Sequence, residues 1–196
     1  MNAILLTALI PAFGALLLLF PALRGLALKL LLLIGVVNFG VSLGLSAYTS
    51  PSAVVYLGEH YFVFDATTQL FMTLINAVFL GVAAFVATHP RPDASTQPFG
   101  HRFAGFALLF MAASNLAVLS NHLLLCWAFV EATTLAAVPL IAHDRSRAAW
   151  AASWRYLLLS TVGLSLTFLG FVCLERSVEV AVPHEGLSFF LNEFDI

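Results

Sequence analysis

Charge is what this sequence has least of. Lys, Arg, Asp and Glu make up 9% of the chain, whereas soluble domains carry about 25%. With 61% apolar residues and a mean hydropathy of +0.99, a globule of 196 residues cannot hide its apolar surface from water, so its solvent is lipid. The net charge of −2 excludes the strong positive field that a nucleic-acid partner requires. Cysteine is also scarce. Cys126 and Cys173 lie in separate apolar runs without CxxC spacing and read as small buried hydrophobes, which say nothing of the redox compartment. Metal-ligand spacings of His and glycine-rich phosphate loops are absent, so no metal, cofactor or catalytic site is expected in this chain. Low-complexity tracts and a convincing internal repeat are missing as well.

What is present is a succession of apolar runs. A transmembrane helix takes about 20 mostly apolar residues. Six stretches qualify: residues 3–22, 26–48, 66–88, 103–120, 123–142 and 150–174. The expected fold class is all-α, a polytopic transmembrane bundle of about six helices over residues 1–174, followed by a short acidic tail at 175–196. The first stretch contains Pro11 and Pro21. Met1-Asn2 supplies no basic signal-peptide region and no small-residue cleavage site precedes the second stretch, so the first is read as a retained helix.

The connections differ in character. "ALRG" is a tight turn. "AVVYLGEHYFVFD" alternates β-formers around Gly-Glu-His and predicts a short hairpin at the membrane surface. "HPRPDASTQPFGHR", from His89 to Arg102, is a proline-rich exposed loop. Ser120-Asn121 is so short that the fourth and fifth spans must be antiparallel neighbours, and "HDRSRAA" joins the fifth to the sixth.

Basic residues orient the bundle. Arg24 and Lys29 flank the first connection, Arg91 and Arg102 the third, and Arg145 and Arg147 lie in the fifth. The second and fourth have none, and the tail carries Arg176 against Glu175, Glu179, Glu185, Glu193 and Asp195. The odd-numbered connections are expected to be cytoplasmic and both termini to lie on the opposite, positive side of a cell membrane.

Two ionisable residues stand inside the spans. Glu131 is near the middle of "LLLCWAFVEATTLAAVPLIA", and Arg155 lies a turn or two into "WAASWRYLLLSTVGLSLTFLGF". At a rise of ~1.5 Å per residue their depths differ by under ~10 Å, within reach of two long side chains and a water or two. An isolated charge at the bilayer centre costs at least ~2.5–3.5 kcal/mol. Dry surroundings favour the neutral acid, and a nearby guanidinium favours the carboxylate. A carboxyl group balanced between them can load and release a proton, which is the chemistry of a relay. Two other readings stand beside it: a static buried pair that fixes helix register, and an Arg155 that snorkels to the headgroups.

The remaining polar groups are weaker candidates. Thr133 and Thr134 can bond the preceding helical turn or hold a water, and Pro139 frees a backbone carbonyl near Glu131. Ser114, Asn115, Asn121, His122, Ser160 and Ser165 extend a hydrated path on one reading and are plain interhelical contacts on the other. Asp65 in "FDATTQLF" reads as a helix N-cap. His101 and His143 stand at span ends, where an imidazole feeds protons inward or is simply solvated.

"HLLLCWAFVEATTLAAVPLIA" followed by "AAWAASWRYLLLSTVGLSLTFLGFVCL" resembles the NADH-quinone oxidoreductase/Mrp antiporter membrane-subunit family, most of all its hydrogenase-4 component F branch. "FVEATTLA" stands where that branch has Glu-Leu-Thr-Thr-Leu, "ASWRYLLLSTVG" where it has Ala-Ala-Trp-Lys-Tyr and a glycine-containing apolar run, and "FDATTQLF" where its third helix opens on Asp. The resemblance implies a proton- or cation-pumping membrane subunit, with Glu131 at the family's fifth-helix glutamate and Arg155 at its sixth-helix lysine. Arg is a departure, since it is not readily deprotonated. It also implies about fourteen helices in two inverted repeats, the first starting within residues 103–174, so this chain is expected to be an N-terminal portion, a truncated antiporter-like fold. Its expected partners are lipid, other membrane subunits of a multi-subunit complex and a chain that completes the repeat. The alternative is a non-transporting structural or assembly subunit, or a nonfunctional remnant.

Overall fold

A computed structural model describes residues 2–18, 20–48, 54–58, 60–88 and 100–181. Most of the proline-rich connection and residues 182–196 of the acidic tail lie outside the described residues, as does Glu59 of the hairpin turn. In chain order the elements are α1 (Asn2–Leu17), α2 (Ala27–Tyr48), β1 (Val55–Leu57), β2 (Phe62–Phe64), α3 (Ala66–Thr88), α4 (His101–Leu119), α5 (Leu123–Ile141) and α6 (Arg147–Ala181). The all-α expectation holds, with one small hairpin.

Among the described residues, five helices are long and apolar enough to cross a membrane: α2 to α6. The chain is a multi-pass membrane protein. The first run differs from expectation. α1 has 16 residues, about 24 Å at the helical rise and short of the ~30 Å hydrocarbon layer. The cause is Pro21. It has no N–H to offer the Leu17 carbonyl, and it disfavours helical backbone at Phe20. The Leu17 carbonyl instead accepts from the Phe20 N–H at 3.1 Å, and a 3₁₀ turn over Pro21–Leu26 carries the chain into α2. At the other end, α6 runs past residue 174 to Ala181.

α4 is the central post. Ala104, Ala107, Leu108, Met111, Ala112, Ala113, Asn115 and Leu119 are buried along it, and α1, α2, α3 and α5 all pack on it. Lipid is as apolar as any side chain, so packing rather than water exclusion holds the helices, and small residues let backbones approach. The alanines of α4 do this, and so does Gly14 of α1, where a Cβ would collide with Ile34. One apolar cluster, with Leu18, Leu31, Ile34 and Leu108, fills the end near the 3₁₀ turn, here the arginine-rich end. A second, with Ile4, Leu57, Phe64, Met72 and Leu119, fills the hairpin end.

Between the clusters sits a polar junction. Thr7, Asn38, Asn76 and Asn115 are each 0% exposed. Pro11 lies four residues beyond Thr7 and cannot donate to its carbonyl. Two amides from other helices take that place: Asn38 Nδ2 donates at 2.6 Å from α2 and Asn115 Nδ2 at 2.9 Å from α4. Asn115 Nδ2 also reaches Asn76 Oδ1 of α3 at 3.2 Å. Three helices thus meet at the one carbonyl that the proline leaves open, and α3 joins them through Asn115.

The predicted hairpin is present, antiparallel, with Val55 opposite Phe64 and Leu57 opposite Phe62. Gly58 and His60 take positive φ at its turn, 59° and 74°. Leu57 and Phe64 point into the core. The turn between α4 and α5 clips onto the hairpin: the Asn121 N–H donates to the Tyr61 carbonyl and Asn121 Nδ2 to the His60 carbonyl, both at 2.9 Å. Asp65 is the N-cap of α3, its Oδ1 accepting from the Thr68 N–H at 2.7 Å, as its place in the sequence predicts.

Candidate functional site

α5 and α6 are antiparallel neighbours joined by a 3₁₀ turn, Ala142–Asp144, and by Arg145 in the left-handed region at φ 53°. A clasp sets their register. Trp127 Nε1 of α5 donates to the Leu164 carbonyl of α6 at 2.8 Å, and its ring lies 5.0 Å from that of Phe168. Four residues along α5, on the same face as Trp127, comes Glu131. The same step back along α6 from Leu164 reaches Ser160. Glu131 and Ser160 therefore stand level on facing helices, both half-buried.

Glu131 meets one side chain in its own helix, Thr134, whose Oγ1 lies 3.5 Å from Oε2 and donates to the Glu131 carbonyl at 2.8 Å. Thr133 donates to the Val130 carbonyl at 2.7 Å. Both threonines thus bond the preceding turn. Their lone pairs remain free to accept.

Arg155 is not brought to Glu131. Among the described residues the two form no ion pair, and Arg155 is exposed. The reason is azimuth. Between residues 151 and 164 of α6, Ser153, Tyr156, Leu157, Ser160 and Leu164 are the covered residues in an otherwise exposed stretch, and they make one helical stripe toward α5. Arg155 is two residues from both Ser153 and Leu157, a rotation of roughly 160–200° at ~100° per residue. It projects from the opposite face, beside the exposed Trp154 and Leu158.

His143 lies twelve residues beyond Glu131, about 18 Å along the helix. Its Nδ1 is 3.0 Å from the Leu140 carbonyl, its Nε2 3.2 Å from Asp144 Oδ1, and its ring meets Phe103 edge-on. It belongs to the arginine-rich end of the bundle, remote from Glu131. Ser114 and Ser165 fold back on their own helices, bonding Phe110 and Thr161. Asn115 and Asn121 are true cross-element contacts. His122 precedes α5, against the Tyr61 ring at 5.5 Å, and burial lowers its pKa below the ordinary 6.5. Cys126 and Cys173 are free thiols, Cys173 exposed on α6.

Two features escaped sequence reasoning. The clasp from Trp127 was hidden because its acceptor is a backbone carbonyl, which no residue type announces. The junction at Thr7 had a signal in Pro11, since a proline orphans the carbonyl four residues earlier.

No protein-family model matches the chain. The hydrogenase-4 component F homolog of Methylacidiphilum infernorum (isolate V4) is 31% identical over 116 residues, which are 56% of this chain and 24% of that relative. The match thus spans about a quarter of the relative's length. Taken with the apolar helical architecture, it bears out the resemblance carried by "FVEATTLA" and "ASWRYLLLSTVG". The chain is thus distantly similar to hydrogenase-4 component F, which supports its resemblance to the complex I and Mrp antiporter-like family.

Proposed function

We propose that this chain is a proton-translocating membrane subunit, or part of one, in a respiratory or hydrogenase-type oxidoreductase or a cation/proton antiporter complex. One observation carries the reading. Glu131 is a carboxyl group in mid-span, half-buried at the α5–α6 interface, with no cation in contact among the described residues. Ionisable groups placed so deep in a membrane mark proton and ion pathways. Around Glu131, Thr134 and Ser160 supply hydroxyls that can pass or accept a proton, and Thr133 lies one residue before Thr134. His143 would serve as the exchange point at the arginine-rich end, which is the cytoplasmic side in this reading. Arg155, always protonated, faces away from Glu131 and acts only across α6, on a helix packed against its outer face. That helix comes from the remainder of the antiporter-like repeat or from a neighbouring subunit. The membrane is the cell membrane, and the other partners are the subunits of the parent complex.

The test is Glu131→Gln in the assembled complex. Proton translocation should fall at least tenfold while assembly and redox or exchange partners stay intact. Unchanged translocation overturns the proposal. A structural role for the chain is favoured by the missing contact between Glu131 and Arg155. Under that reading the same variant leaves translocation alone and shifts only stability.

A further inference from the structure

The arginine-rich end of the bundle holds two adjoining cavities, and of the residues proposed for the proton path only His143 lines either of them, at the first. The first, about 380 Å³, lies between the start of α4 and the turn from α5 to α6, and Arg102, Arg145, Pro139 and Trp150 line it. The second, about 580 Å³, is a groove between α1 and α4 lined by Ala12, Ala15, Leu16, Gly105 and Leu109. His101, Arg102 and Phe106 belong to both, so the cationic cavity and the apolar groove share a wall.

The chemistry of the two parts is complementary to one molecule. Arg102 and Arg145 are exposed, and neither guanidinium has an acidic partner among the described residues. The nearest carboxylate on the connecting turn, Asp144, sits 3.2 Å from His143 Nε2. α4 begins at Gly100 without a side-chain cap, so its first N–H groups add positive potential at the same place. Trp150, 51% exposed, marks the headgroup level of a membrane. The groove below is walled by small residues and leucines, of which Leu16 and Leu109 are open to the surroundings at 58% and 43%.

We propose that this end of the bundle is a binding site for an anionic phospholipid, with its phosphate between Arg102 and Arg145 and one acyl chain in the groove between α1 and α4. Fork-shaped guanidinium groups suit phosphate oxygens. Basic pockets between membrane helices hold such headgroups in general. A free phosphate ion matches the first cavity alone and leaves the groove without an occupant. The inference does not rest on the proton relay, although His143 lines the first cavity.

The experiment is native mass spectrometry of the full chain in neutral detergent, titrated with phosphatidylglycerol or phosphatidylcholine of identical chains. Phosphatidylglycerol should bind at least tenfold better, and R102Q/R145Q should reduce that preference to near parity. Arg147→Gln, which removes a nearby charge that lines neither cavity, should keep it. Inorganic phosphate at millimolar concentration should not displace the lipid. Equal binding of the two lipids by the unaltered protein overturns the proposal without recourse to any variant. So does a preference that survives R102Q/R145Q, or one lost equally in Arg147→Gln, which would reduce it to diffuse charge. Displacement by inorganic phosphate would make the site a simple anion site and overturn the lipid assignment.

Discussion

The junction at Thr7 allows a quantitative test of why α1 to α4 hold together. The Thr7 carbonyl has two donors, Asn38 and Asn115, because Pro11 withholds the third. Removing either amide leaves the carbonyl served by the other. Asn38→Ala should therefore cost about what one interhelical hydrogen bond is worth in a membrane, ~0.6–1.7 kcal/mol, plus a cavity contribution, and Asn115→Ala should cost more, because it also removes the donor to Asn76 Oδ1. Removing both leaves the carbonyl buried and unpaired, at a further ~1–3 kcal/mol. The pair should be superadditive by that amount. The control is Pro11→Ala. An alanine there restores an N–H at the fourth residue from Thr7, which can close the ordinary helical bond. In that background the excess should shrink to within ~0.5 kcal/mol, the usual limit for independent sites, while the cavities are the same in both backgrounds. The assay is reversible unfolding of the detergent-solubilised protein by SDS titration, read by far-ultraviolet dichroism. Additive losses with Pro11 present, or an excess of equal size in the Pro11→Ala background, would refute the account.

Two further expectations follow from the same geometry. Trp127→Phe keeps the ring beside Phe168 but loses the donor to the Leu164 carbonyl. It should loosen α6 from α5 by ~0.6–1.7 kcal/mol, seen as faster hydrogen exchange of the α6 amides around residue 164, and unchanged exchange there would contradict the clasp. Burial lowers the pKa of His122 from 6.5. The unfolded chain then binds the proton more readily than the native one just below pH 6.5, so stability rises with pH in that window and falls as pH drops through it. His122→Gln should flatten this part of the pH–stability curve, and a slope that survives the substitution would assign it to another group.

The fold is legible where its causes are local. The lengths of the apolar runs, the alternation in "VVYLGEHYFVF", the two-residue turn at Ser120-Asn121 and the cap at Asp65 each act within a few residues of themselves. The expected first span is too long because the apolar run up to Ala22 outweighs Pro21 in it, although the proline alone dictates that the Leu17 carbonyl loses its helical donor. The polar junction is out of reach because its bonds join residues 31 and 108 positions apart. Hydropathy says that Asn38 and Asn115 are costly in lipid. It does not say which carbonyl receives them. The candidate site divides in the same way. Counting residues from the span ends places Glu131 and Arg155 at similar depths, but depth is only one of the two coordinates of a helical residue. The other is azimuth. α6 is apolar on nearly every side, so its sequence carries no stripe from which the inward face could be read.

That second coordinate constrains any mechanism. To bring Arg155 onto Glu131, α6 would have to turn by about half a revolution. Such a turn would break the Trp127 bond to Leu164, part the Trp127 and Phe168 rings, and carry the buried Ser153 out of its contact with the rest of the bundle. Nothing on the outer face of α6 compensates: Trp154, Leu158 and Val162 there are exposed and would have to exchange places with residues fitted to α5. If Glu131 relays protons as proposed, a cation that charges or discharges it would have to come from a different helix, approaching the α5–α6 interface from the side that the described residues leave open. Arg155 belongs to the opposite interface, where it can meet an acid on whatever packs against α6. The two charges that the sequence places at nearly one depth thus lie on opposite sides of α6, Glu131 against its inner face and Arg155 exposed on its outer one.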